Sequence, residues 1–195
     1  MVSPAPPTTP TEDPIDQSQC GNRNVNGVGA KIEGLSESES QFGEWPHMCS
    51  VMGSLLGEQT HFCGASLISP GVVLTAAHCV RRYVGSPGQL RIRCGEWDLR
   101  KDNEDLPHQE REVQNIVMHP EYNYDLKNIS NYKYDIAVLF TAEVFIMNRH
   151  INTICLPSLN DRFDGRQCIA TGWGRNQETL KKKTMPIVDN TSCQV

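Results

Sequence analysis

Residues 63–79 read CGASLISPGVVLTAAHC: two short apolar runs broken by Ser69-Pro70-Gly71 and closed by a histidine between an alanine pair and a cysteine. The runs are β-branched or small and too short for a long helix, and the Ser-Pro-Gly break between them is a turn signal. The pattern therefore predicts two strands meeting at a tight turn, with a short helical stretch at LTAAHCV as the alternative for the end. A disulfide from Cys63 to Cys79 would close a 16-residue loop and pin His78 at its edge. A single histidine is most often a satisfied core residue. Its ordinary pKa near neutrality also makes it a natural general base.

The same texture runs outward in both directions. HMCSVMGSLL, LRIRCGEW, REVQNIVMH and YDIAVLFTA are further short apolar runs, separated by turn signals at Gly85–Gly88 and His119–Asn123. Many short strands at near-regular spacing predict an all-β fold, an antiparallel barrel or sandwich. Before them, residues 1–19 are rich in Pro and Thr and cannot bury enough surface to order themselves, so a linker is expected there. The glycine-rich, polar residues 21–41 are expected to form an exposed loop. Residues 98–112, DLRKDNEDLPHQERE, form a charged excursion between two strands. A solvated loop is the plain reading. Clustered carboxylates also suit calcium, although no EF-hand spacing is present.

Composition excludes several classes. The 195 residues carry a formal charge of -5, against the basic face a nucleic-acid binder needs. No apolar run approaches the roughly 18–20 residues that span a membrane. Eight cysteines lie scattered along the chain, with no C-x-x-C pair and no spacing of a closed zinc site. No other metal or cofactor is implied. Scattered cysteines point to disulfides and an oxidising, extracellular setting. The sequons at Asn128 and Asn190 are compatible with secretion, and the absence of a signal core in the first residues is read as an incomplete or processed start.

Asp135 opens DIAVLF, an otherwise apolar run. A carboxylate buried there without a partner would be strongly unfavourable. It either sits at the exposed mouth of the strand or accepts a hydrogen bond from His78, fixing that ring's tautomer and orientation.

Taken together, CGASLISPGVVLTAAHC, DIAVL, ICLP and ATGWG stand in the order and rough spacing found in chymotrypsin/trypsin-like serine peptidases, which the chain resembles from about residue 20 to its last residue. The resemblance implies two six-stranded antiparallel β-barrels with the active site between them, His78 as general base and Asp135 as its orienting carboxylate. CGNRNVNGVGAKIEG, ESQFGEWPHM, RCGEWDLR and HQEREV narrow it further. They look like the arthropod clip-domain serine protease homologues, a group that includes cofactors of the phenoloxidase-activating cascade. In that group a Pro-rich linker joins a clip domain to the protease-like domain, and residues 1–19 resemble such a linker. The resemblance makes residues 20–31 an activation segment and residues 32–195 a partial peptidase domain.

Zymogen activation in this family cuts after a basic residue before an aliphatic one, and Lys31-Ile32 is the matching bond. The small residues that usually follow are replaced by Glu33, Gly34 and Leu35. An ordinary exposed lysine is the alternative. The family serine sits in GDSGG, well downstream of GWG, and that motif does not occur in the 195 residues; Ser192 lies too early. The oxyanion-hole amides and the base of the specificity pocket are missing with it, so the chain as it stands is expected to be inactive, with its second barrel incomplete. The resemblance pairs Cys63 with Cys79 and Cys20 with Cys155, and position on the first barrel pairs Cys49 with Cys94. Cys168 and Cys193 match cysteines whose partners lie further downstream, or pair with each other. The expected role is a non-catalytic homologue acting on proteases or zymogens of an extracellular cascade. The alternative is an active endopeptidase whose serine lies outside this sequence.

Overall fold

The computed structural model describes residues 20–55, 58–101, 104–122, 133–174 and 179–193. The linker expected over residues 1–19 lies outside them. Eight strands carry the fold: β1 (Met48–Leu55), β2 (Glu58–Ser69), β3 (Val72–Thr75), β4 (Leu90–Cys94), β5 (Gln109–Met118), β6 (Ala137–Thr141), β7 (Gln167–Gly172) and β8 (Lys181–Pro186). The first six close a barrel in the order β1-β2-β3-β6-β5-β4, every neighbouring pair antiparallel. β7 and β8 pair with each other in a separate two-stranded sheet. An all-β, chymotrypsin-like architecture with one closed barrel and a second, partial one is what results.

The barrel follows from alternation. In β4 and β6 every second side chain is buried, Leu90, Ile92 and Cys94 on one and Ala137, Leu139 and Thr141 on the other. Opposite faces of a strand thus divide between core and solvent. Val51, Leu67, Val73, Leu90, Ile92, Val113 and Leu139 are all fully buried and meet in one cluster. Cys49 and Cys94 face each other in register across β1 and β4 and form a disulfide.

At LTAAHCV the strand gives way to the short helical alternative. β3 stops at Thr75, and α1 (Ala77–Val80) follows, continued by a 3₁₀ turn over Arg81–Tyr83. Likewise β5 starts at Gln109, so the charged excursion gives its last four residues to the barrel. Gly95 makes the turn after β4 feasible. Its φ is +79°, and a Cβ there would lie 2.7 Å from the Ile151 side chain.

Residues 21–41 lack regular strands, as their composition implies, but they are not uniformly exposed. Val28 and Ser40 are buried, Val28 N donates to Phe42 O and Gly21 N to Thr153 O. A second, smaller cluster of Trp45, Met48, Trp173 and Leu180 sits between the barrel and the β7–β8 sheet. Trp173 Nε1 donates to Trp97 O and Leu180 N to the same carbonyl. Beside it, Glu44 is fully buried and holds Lys182 of β8 and Arg23 of the N-terminal segment at once. Burial pushes the Glu44 carboxyl up. Hydrogen bonds from Lys182 and Arg23 outweigh that and hold it below the usual carboxylate range.

Candidate active site

His78 lies in the single turn of α1, one residue before Cys79, and Cys79 is bonded to Cys63 on β2. The histidine therefore sits on a turn tied covalently to the barrel wall. Asp135 stands two residues before β6, whose partner strand β3 leads directly into α1. The antiparallel register Thr75↔Ala137 is what brings the two chain segments side by side.

The carboxylate uses both oxygens on one residue. His78 N donates to Asp135 Oδ1 at 2.7 Å, and His78 Nδ1 lies 2.7 Å from Oδ2. An ionised carboxylate can only accept, so Nδ1 carries the proton and Nε2 of the neutral ring keeps its lone pair. Asp135 is largely sheltered, its side chain 17% exposed, while the His78 ring is 46% exposed. The arrangement is thus an imidazole held through Nδ1, with Nε2 at the opposite edge of a half-exposed ring. Cys79 Sγ lies 3.4 Å from Nε2, and Cys63, His78 and Cys79 cluster closely enough to resemble a metal-binding group. Both sulfurs are spent in the disulfide, so no thiolate is left to ligate.

The remaining sequence-selected residues fall elsewhere. Lys31 is exposed and pairs with Glu33 at 3.5 Å. Ile32 is gripped by Gln41, whose Oε1 accepts from Ile32 N at 2.8 Å and whose Nε2 donates to Ile32 O at 2.9 Å. Ala30, Lys31 and Ile32 line a cavity of about 380 Å³ shared with Asp98, Glu104 and Asp105. Cys20 is bonded to Cys155, and Cys168 is an unpaired thiol. Asn190 and Cys193 are the first and last residues of α2 (Asn190–Cys193). Asn128 lies outside the described residues.

Just ahead of the charged excursion Glu96 is buried, with Arg93 at 3.1 Å and His108 at 3.3 Å on the same oxygen. Glu104 faces it. Burial first, and then the neighbouring Glu96 carboxyl, push Glu104 up to about 7. Asp98 is taken by Arg100 at 3.2 Å and Lys101 at 3.1 Å.

Nothing in the sequence pattern pointed to the Ser50–His61 contact, in which Oγ lies 2.6 Å from Nδ1 inside the barrel wall. Nor did it single out Gln41 or Glu44, since their partners are 9 and 138 residues away.

Comparison with known proteins decides the family: the family described as Trypsin matches residues 35–195. The chain belongs to the trypsin family. Phenoloxidase-activating factor 2 of Galleria mellonella is 37% identical, across 99% of this chain and 65% of its own length. Serine proteinase stubble of Drosophila melanogaster is 34% identical over 91% of the chain and 22% of its own length. Inactive CLIP domain-containing serine protease A28 of Anopheles gambiae is 31% identical over 98% of the chain and 53% of its own length. The chain therefore spans less than two thirds of these relatives. Trypsin-family domains generally need no cofactor. Among the described residues no helix is long and apolar enough to cross a membrane.

Proposed function

We propose that this trypsin-family domain is a non-catalytic serine protease homologue that regulates an extracellular proteolytic cascade of the prophenoloxidase type. One observation carries the reading. Among relatives aligned over nine-tenths of the chain or more, two are named phenoloxidase-activating factors and three are named inactive CLIP domain-containing proteases. His78 and Asp135 form a hydrogen-bonded pair, an arrangement that a regulator and a peptidase of this family can share. Without a serine and its oxyanion-binding amides, an oriented base has nothing to activate.

In this reading the chain works by contact with a protease or zymogen outside the cell, a setting its three disulfides suit. Lys31-Ile32 is the cleavage site. The exposed lysine is open to an activating protease, while Gln41 keeps Ile32 seated against the body. Residues 20–31 then remain as an activation segment tied through Cys20–Cys155. Asn128 and Asn190 carry glycans. Calcium is the cation the clustered carboxylates of the charged excursion suit, with Glu104 set against the neighbouring Glu96 carboxyl. Those two residues would hold the ion, which would stiffen the loop, and calcium titration should raise the melting temperature of wild type but not of Glu104→Gln.

The alternative, an active endopeptidase completed by further sequence, is favoured by the two intact 2.7 Å bonds between His78 and Asp135. The coding sequence downstream separates the two: GDGG supports the regulator, whereas GDSGG sinks it. For the 195-residue chain the expected result is no turnover of chromogenic Arg or Lys substrates and no labelling by a serine-directed phosphonate. Retention of prophenoloxidase or its activating protease on the immobilised protein tests the partner. Failure of intact protein to retain either would count decisively against regulation.

A further inference from the structure

Tyr134 is the one non-glycine residue with positive φ among the described residues, at 58°, and it immediately precedes Asp135. A residue with a Cβ persists in that region only when its surroundings impose it. The surroundings here are specific. The Tyr134 ring lies flat on His119, with centroids 4.6 Å apart and planes 9° from parallel. His119 N donates to Ile136 O at 3.0 Å, and Ile136 N donates back to Tyr134 O at 2.7 Å. His119 is itself fixed, because its Nδ1 accepts from Glu121 N at 3.1 Å. Of the two stacked residues, His119 directly follows Met118, the last residue of β5, and Tyr134 stands three residues ahead of β6.

We propose that the His119–Tyr134 stack is a clasp that positions Asp135 for His78, making Tyr134 a positioning residue of the pair. The left-handed turn at Tyr134 sets the direction in which the Asp135 carboxylate leaves the backbone. That carboxylate must meet two donors of one residue, His78 N and Nδ1, both at 2.7 Å. Bidentate contact tolerates little rotation, since a swing that keeps one bond lengthens the other. The functional weight of the clasp rests on the reading of His78 and Asp135 as an acid–base pair, but its geometry is measured without catalysis.

The test uses the 195-residue chain with isotope-labelled histidine and reads the low-field His78 Nδ1–H proton resonance. Asp135→Asn identifies that signal by abolishing it. If wild type shows no such resonance, the pair is absent in solution, and the clasp falls together with the acid–base reading. With the signal present, Tyr134→Phe keeps the ring and should leave it unchanged. Tyr134→Gly accommodates the positive φ but removes the ring, and should lose the resonance while barrel amides keep their exchange protection. His119→Ala removes the opposite ring without touching the backbone at residue 134, and should lose it as well. A resonance that survives in both Tyr134→Gly and His119→Ala overturns the clasp, leaving the acid–base reading intact. Should the glycine variant fail to fold, His119→Ala alone decides by the same signal.

Discussion

The closed barrel and the β7–β8 sheet are both antiparallel yet are held by different means. Every strand of the barrel has a neighbour on both sides, and its interior is one continuous cluster. β7 and β8 bury almost nothing of their own: Ile169 is 41% and Met185 43% exposed. What orders them comes from the barrel's side, through Trp45, Trp173 and Leu180 and through Glu44 gripping Lys182. Pairing alone does not stabilise two strands; a shared apolar face or a buried contact must be added. The described part of the second sheet borrows both.

That contrast can be broken deliberately. The largest effect is expected from Cys49→Ala with Cys94→Ala, which removes a fully buried cross-strand disulfide spanning 45 residues. Loop-closure entropy sets the loss at about 4 kcal/mol, read by guanidinium denaturation. Next, Leu139→Ala in the barrel core should cost about 3 kcal/mol, whereas Ile169→Ala on β7 should cost less than about 1. Equal costs would mean that β7 has a core the structure does not show. Third, Glu44→Ala leaves Lys182 and Arg23 without their buried acceptor. The expected cost is about 2 kcal/mol, moderated by the partial exposure of both cations. Hydrogen exchange should then quicken in β8 before it quickens in β1–β6.

The smallest effect is on pH. Burial lowers the pKa values of His47, His61 and His150, so each stays neutral in the fold at a pH where the unfolded chain takes up a proton. The unfolded state binds more protons below about pH 6.5, and stability must fall as pH drops. His108, raised by Glu96, and Glu104, raised by burial, act in the opposite sense. Thermal melts between about pH 7.5 and 5.5 show which set dominates: with the three buried histidines in control, the melting temperature falls as pH drops. Stability that rises over that interval would show the opposing pair dominating.

The sequence made the barrel legible because its strands alternate cleanly and its turns carry Pro and Gly. It placed His78 and Asp135 on the right segments because motif and pattern coincide there. Boundaries were harder. The run through Leu74 and His78 looks uniform, yet it changes from strand to helix at Ala76, where cross-strand pairing with β6 runs out. Asp135 reads as the first residue of a strand but stands two residues ahead of it, because the turn at Tyr134 delays the extended backbone. Glu44 resembles any loop glutamate until Lys182 arrives beside it. Contacts of that span leave no local periodicity to detect.

Cys20–Cys155 has a consequence for what cutting the chain can accomplish. Hydrolysis after Lys31 would add a water and a new pair of termini while leaving both pieces in one covalent object. On a gel the event would be invisible until a reductant is added. Its meaning would lie in connectivity: whatever precedes Cys20 would stay tethered at Cys155, and such a cut would create new termini at residues 31 and 32 without releasing anything.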